Sequence, residues 1–219
     1  PPVQDAAFAF PAPFDTHNRG IGLFVDGLAG TRDGTLSTEA SFVSDGFVGA
    51  LGLKLVAGRE LLPSDSSGAP RVMVVSRSLA ARMWPGKDPI GQRARHGNAQ
   101  GAEVTVVGVV DDAKFTMLGG PSTNRAYLAV KQSNRDWETL VVHTRGNPER
   151  TISELREAIA RIEPTLPLFG VTTMTERVSS GFSTSRMAAR MAGFFGVLAL
   201  LIASVGLYAV VAMSVSERT

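Results

Sequence analysis

Residues 71–93 read RVMVVSRSLAARMWPGKDPIGQR, and they place a strand, a helix and a hard stop in direct succession. Val72-Met73-Val74-Val75 is a short unbroken apolar run, as a strand covered on both faces needs. Ser76 follows as a good N-cap, because its hydroxyl takes a free N–H of the first turn, and the helix is expected over 77–84. Pro85 and Gly86 then break it. Asp88-Pro89 sets a second turn, and Gly91 permits a tight backbone before a new strand.

Working outward, residues 21–25 and 38–43 read as strands separated by a Gly/Asp-rich turn. Asp45 is expected to cap a short helix over 47–51. Residues 104–110 are the most β-rich stretch and close on Asp111-Asp112, with further strands at 126–130 and 139–144. Asn147-Pro148 opens a helix over 149–162. There Ile152, Leu155, Ile159 and Ile162 form a core-facing stripe, while Glu154, Arg156, Glu157 and Arg161 lie on the wet side. Pro164 ends it, a strand is expected over 168–173, and an amphipathic helix starts near Glu176. Residues 1–20, 63–70 and 95–102 read as loops. Strand–helix–strand units joined by hairpins predict an α+β fold of two small mixed subdomains.

Residues 193–215, GFFGVLALLIASVGLYAVVAMSV, carry no charged side chain. At about 1.5 Å per residue the run reaches roughly 34 Å, enough for a hydrocarbon core of about 30 Å, so a C-terminal transmembrane α-helix is expected. A core helix of that length carries a polar stripe, whereas Ser204, Tyr208 and Ser214 are the only clearly polar side chains here. Ala192, Gly196, Ala199, Ala203 and Gly206 recur at intervals of three and four and make a small-residue seam, the mark of a helix-packing face in lipid. The plan is a core domain over 1–175, an amphipathic stalk helix over 176–192, the span over 193–215 and a charged start of a further segment over 216–219. Pro1 at one end and a continuing polar stretch at the other suggest a piece of a longer chain. Arg177, Arg186 and Arg190 before the span, against Arg218 after it, count toward a cytoplasmic domain.

Chemistry is sparse. A formal net charge of +2, with no Lys/Arg run, argues against nucleic acid, and the absence of cysteine excludes disulfides, thiol nucleophiles and Cys-ligated metals. His17, His96 and His143 stand at no metal-ligand spacing. Asp111-Asp112 reads as an Asx-type turn, since adjacent residues at a strand end face different ways. Gly86-Lys87 has no phosphate-loop glycine before it, and Asp88 sits where Ser or Thr would hold magnesium, so this chain is not expected to hydrolyse ATP. No catalytic, cofactor-binding or metal-binding residue is assigned, and no cofactor is expected.

The order of these fragments resembles the periplasmic core domain of MacB/FtsX-type ABC transporter permeases, especially the duplicated orphan permease branch. Trp84, Pro85, Gly86, Asp88, Pro89, Ile90 and Gly91 match that family's turn after the alanine-rich helix. Residues 43–47, 50–53 and 57–59 resemble the stretch before it; residues 105–112 and 126–128 resemble the strands after it, and 193–219 resemble the second membrane helix and its cytoplasmic exit. The resemblance covers roughly 37–219. It implies a MacB-like periplasmic core domain, with residues 1–192 outside the cytoplasm of a bacterial inner membrane, against the arginine count. It also implies a non-catalytic permease subunit partnered by a cytoplasmic ABC ATPase and by a second permease half or protomer, serving efflux or mechanotransmission. The residues alone leave open an extracytoplasmic sensor domain, which an output domain downstream would reveal, and a membrane-anchored enzyme, which lacks a recognisable nucleophile or acid/base set.

Overall fold

The computed structural model describes residues 3–15, 20–28, 31, 34–113, 124–133, 138–181, 191–196, 199–200, 203–204 and 206. The chain divides into two compact units, Pro1–Val171 and Thr172–Thr219. The described strands of the first unit are β1 (Val3–Phe10), β2 (Gly20–Phe24), β3 (Thr35–Val43), β4 (Leu55–Gly58), β5 (Val72–Ser76), β6 (Arg93–His96), β7 (Glu103–Val110), β8 (Arg125–Ala129) and β9 (Thr139–Thr144). Its helices are α1 (Phe47–Ala50), α2 (Arg77–Met83) and α3 (Pro148–Ile162), with a 3-10 turn at Val130–Gln132.

One hydrogen-bonded sheet, ordered β2-β6-β7-β5-β8-β3-β1-β9, joins all of these strands, with β4 added on β7. β2 pairs with β3 as well as with β6, so the path β2-β6-β7-β5-β8-β3 returns to β2 and closes a ring. The length of β3 makes this possible. Residues 35–39 face β2 in antiparallel register, while Phe42 and Val43 pair with Phe10 and Ala9 of β1.

β5 shows why its sequence is apolar without a break. Met73 and Val75 enter one core with Leu23, Val104, Val106 and the α2 residues Leu79 and Met83. Val72 and Val74 enter the second core with Phe47, Leu61, Val110 and Tyr127. A strand dry on both faces cannot alternate polar and apolar residues. Full burial of one such side chain, Leu79 for example, stabilises the fold by roughly 1.5–3 kcal/mol. The expected pair of subdomains is corrected by this sharing: the two cores lie in one compact unit and use the same strands.

The cap of α2 is as expected. Ser76 Oγ accepts from Leu79 N–H at 3.3 Å and also from Arg125 N–H at 3.0 Å, so one hydroxyl serves a helix end and β8. Asn147 caps α3 by accepting from Glu149 N–H at 2.9 Å, with Pro148 in the first turn. Elsewhere the structure departs from the sequence reading. Gly46, in left-handed conformation at φ 78°, precedes α1 with no side-chain cap, and Asp45 pairs instead with Lys131 at 3.1 Å. No strand forms over 168–173, where Leu168 and Phe169 are 39% and 81% exposed. The α3 stripe is only half-buried at Ile152, Leu155 and Ile159, and Ile162 is 83% exposed. Residues 3–10, expected as loop, form β1, with Ala7 and Ala9 inward and Phe8 44% exposed. Small residues inside and an aromatic outside invert the usual alternation, which hides this strand.

An ion pair between a half-exposed arginine and a buried aspartate closes the loop after β4. Asp65 accepts from both terminal nitrogens of Arg59, at 2.8 and 3.1 Å, and from Leu62 N–H at 2.8 Å. The hydrogen bonds from Arg59, followed by the Leu62 N–H bond against some desolvation, hold the Asp65 carboxyl below its ordinary value of 3.8. With the folded value below the unfolded one, this carboxylate's contribution is complete above about pH 4 and is lost as pH falls through the folded value. Asp65→Asn is expected to remove that part of the acid dependence of urea unfolding. At neutral pH it should lower stability by about 1–3 kcal/mol, chiefly through loss of the charge-assisted bonds from Arg59, since the amide oxygen of Asn can still accept from Leu62 N–H.

In the second unit, α4 (Met174–Gly181) begins with reciprocal bonds: Thr173 N–H donates to Glu176 Oε2 at 2.9 Å, and Glu176 N–H donates to Thr173 Oγ1 at 3.2 Å. This capping box satisfies two end donors at once and gives the helix a firm start.

Candidate functional site

The turn after α2 is built from two glycine-dependent reversals. Trp84 N–H donates to Ala80 O at 2.9 Å, and Lys87 N–H donates to Trp84 O at 3.1 Å across Pro85-Gly86, with Gly86 at φ 73°. Gln92 N–H then donates to Pro89 O at 3.1 Å across Ile90-Gly91, with Gly91 at φ 79°. Positive φ at the third position is what a type II turn requires, and glycine adopts it without a Cβ penalty. Asp88 Oδ1 accepts from Ile90 N–H at 2.9 Å, and Asp88 O accepts from Gln92 Nε2 at 3.1 Å, locking the second reversal.

This double turn fills a gap in the sheet. One edge of β7 pairs with β6 at residues 103–105 and with β4 at Gly108–Val110. Between them Gly91 N–H donates to Val106 O at 2.8 Å, Val106 N–H to Gln92 O at 2.9 Å, and Arg59 N–H to Val107 O at 2.9 Å. The edge therefore stays bonded where two separate strands meet it. Trp84 anchors one end of the turn in the first core at 4% exposure, and Ile90 packs on the same core. Pro85, Gly86, Lys87 and Asp88 are exposed. The residues singled out in the sequence thus share one structural element, half anchor and half outward loop.

Ala192, Gly196, Ala199, Ala203 and Gly206 are all helical and exposed, and among the described residues nothing beyond the helix's own backbone comes within 4 Å of a Cβ built at Gly196 or Gly206. Much of 193–215, where the membrane helix is expected, lies outside the described residues. Among the described residues no helix is long and apolar enough to cross a membrane.

Asp111 and Asp112 serve different partners. Asp112 Oδ1 accepts from both the N–H and the hydroxyl of Ser78, while Asp111 accepts from Asp112 N–H and faces Arg77 at 3.5 Å. They tie the start of α2 to the end of β7. His143 sits 3.9 Å from Asp5, His96 stands elsewhere on β6, and His17 lies outside the described residues. Among the described residues no three His, Cys, Asp or Glu side chains gather as a metal site would need.

Sequence reasoning missed two features. The first is a buried charge: Arg125, 4% exposed, pairs with Glu39 and donates to Ser41 Oγ at 2.9 Å. Parallel pairing of β3 with β8 sets Glu39 opposite Arg125 across more than eighty positions, and no local pattern reports such a contact. Nearby, burial pushes the Tyr127 hydroxyl well above the ordinary phenol value. The second is a cavity of about 230 Å³ at the start of β5 and β7 and the end of β8. Phe42, Val72, Val104 and Leu128 supply apolar walls, and Arg71 and His96 stand among its lining residues.

Comparison with known proteins agrees with this architecture. A family profile described as the MacB-like periplasmic core domain matches residues 7–162. The periplasmic region of MacB from Actinobacillus actinomycetemcomitans superposes with a TM-score of 0.52 at 16% identity, covering 73% of this chain and 67% of that one. The extracellular domain of the noncanonic ABC-type transporter YknZ from Gram-positive bacteria gives 0.50 at 13% identity, covering 75% and 79%. At these identities the likeness is one of fold. A protein of Pseudomonas syringae pv. tomato described as a probable syringafactin export ATP-binding/permease protein, SyfD, is 22% identical over 195 residues. The match takes in 86% of this chain but only 29% of the length of that relative.

Proposed function

Because the chain belongs to the MacB-like periplasmic core domain family, we propose that it supplies the extracytoplasmic part of an ABC transporter permease subunit. The single observation that carries this reading is the family match over 7–162, followed in the sequence by the uncharged run 193–215. Residues 1–175 form the domain outside the cytoplasm, 176–192 a stalk, 193–215 a span of the bacterial inner membrane and 216–219 the start of a cytoplasmic segment. The subunit is not itself an enzyme and takes no cofactor. A separate cytoplasmic ATPase hydrolyses the nucleotide, and a second permease half or protomer packs against the span along Ala192, Gly196, Ala199, Ala203 and Gly206. The double turn at Trp84–Gly91 is a structural motif of the domain. The export role in the description of SyfD favours export as the output.

The mechanism is mechanical. Closure of the ATPase moves the cytoplasmic end of a stiff helix, and the stalk delivers that motion to the domain. The capping box at Thr173 and Glu176 supports this reading, because a firmly started helix transmits torque that a frayed one dissipates. A flexible Gly-Ser segment inserted near Ser183 of the complete transporter should therefore leave basal ATP hydrolysis intact and reduce export to background. Export that persists at the unmodified rate would overturn the proposal.

A further inference from the structure

We propose that the cavity beside Arg71 and His96 binds the carboxylate end of a single-chain amphiphile, with the apolar chain seated against Phe42, Val104 and Leu128. At about 230 Å³ it lies just under the range of drug-sized sites, which suits one chain of medium length better than two. Phe42 and Val104 are 5% and 2% exposed and form the floor of the hollow as part of the packed sheet, while the half-buried Leu128 offers the chain its main apolar contact. Gln132 makes a third wall rigid: its Nε2 donates to Ser66 O at 3.2 Å and Pro70 O at 2.9 Å, and its Oε1 accepts from Val72 N–H at 3.1 Å. A wall held in this way needs no ordering when a ligand enters.

Charge selects the head group. The lining includes Arg71 and His96 and no carboxylate among the described residues. Neither side chain is engaged by an acidic partner among the described residues, whereas Arg59, Arg77, Arg93, Arg95 and Arg125 each are. A guanidinium beside an apolar hollow matches a carboxylate through two parallel N–H···O bonds. A neutral chain would leave that match unused.

The inference stands apart from the permease reading, since it concerns equilibrium binding by this chain without ATPase or nucleotide. The test holds the full chain in phosphatidylcholine nanodiscs and titrates it with decanoate, following the Gln132 side-chain amide and the His96 imidazole by NMR. Both signals are expected to shift saturably. Arg71→Gln should weaken binding about tenfold or more, the size of a lost charge-assisted pair. Ala102→Trp, at an exposed lining position away from the core, should abolish it by filling the mouth. Decanol, with the same chain length and no charge, should bind at least about tenfold more weakly than decanoate. Unshifted signals at millimolar decanoate, equal binding of decanol, or full binding by Ala102→Trp would each overturn the proposal.

Discussion

Gly108→Ala is expected to lower unfolding stability by about 3 kcal/mol or more, a loss comparable to removing a large core side chain. A Cβ at this position would lie 2.0 Å from Arg59 O and 3.0 Å from Arg59 C, both backbone atoms of the segment crossing β7, and 3.3 Å from Val74 Cγ2. No rotamer relieves a clash with a carbonyl held in a sheet. The close approach comes from an irregular register, in which Met73 faces Val106 but Val74 faces Gly108, so Val107 is an extra residue in β7. Gly58, directly opposite Gly108, is under the same constraint. Its Cβ would meet Val107 O at 2.2 Å, and its φ of 71° adds backbone strain. Gly86→Ala separates the two causes: φ is 73° there but no atom lies within 4 Å, so only the left-handed penalty of about 1–2 kcal/mol applies. Urea midpoints ordered Gly86→Ala well above both Gly58→Ala and Gly108→Ala are the expected result. Near-equal midpoints would mean that the crossing relaxes.

Trp84→Ala should cost about 3–5 kcal/mol, and Trp84→Phe markedly less. The indole is 4% exposed within the core formed with Leu79, Met83 and Val106, and truncation leaves a void that backbone bonds around it prevent from closing. Those bonds use only the main chain: Trp84 N–H to Ala80 O and Lys87 N–H to Trp84 O. The substitution therefore removes the anchor while leaving the turn chemically able to form. Domains of ordinary stability have only about 5–15 kcal/mol in total, so the variant should populate unfolded chain at growth temperature. Equilibrium urea unfolding measures it directly. A loss under 1 kcal/mol would show that the turn, and not the indole, holds this part of the fold.

Residues 71–93 were legible because each signal there is local. The apolar run, the Ser76 cap and the two Pro/Gly reversals act over three or four positions, and the structure places β5, α2 and both turns accordingly. Legibility failed where local pattern and tertiary demand diverged. β1 turns Ala7 and Ala9 inward, into the second core with Phe47, and leaves Phe8 outward, the reverse of what their hydropathy suggests. The α3 stripe is amphipathic by spacing, yet packing covers it only in part. In 168–173, side chains suited to a strand find no pairing partner among the described residues, and backbone pairing, not side-chain type, makes a strand.

By itself the sequence determined the α+β class, the helix caps and breaks around Trp84, and the uncharged run at 193–215, all of which follow from short-range sterics, hydrogen bonding and hydropathy. Only the tertiary structure decided the closed ring of strands, the Glu39–Arg125 pair, the Gly58–Gly108 crossing and the cavity beside Arg71. Each of these depends on which distant strands become neighbours, and that choice is made by the packing of the whole chain.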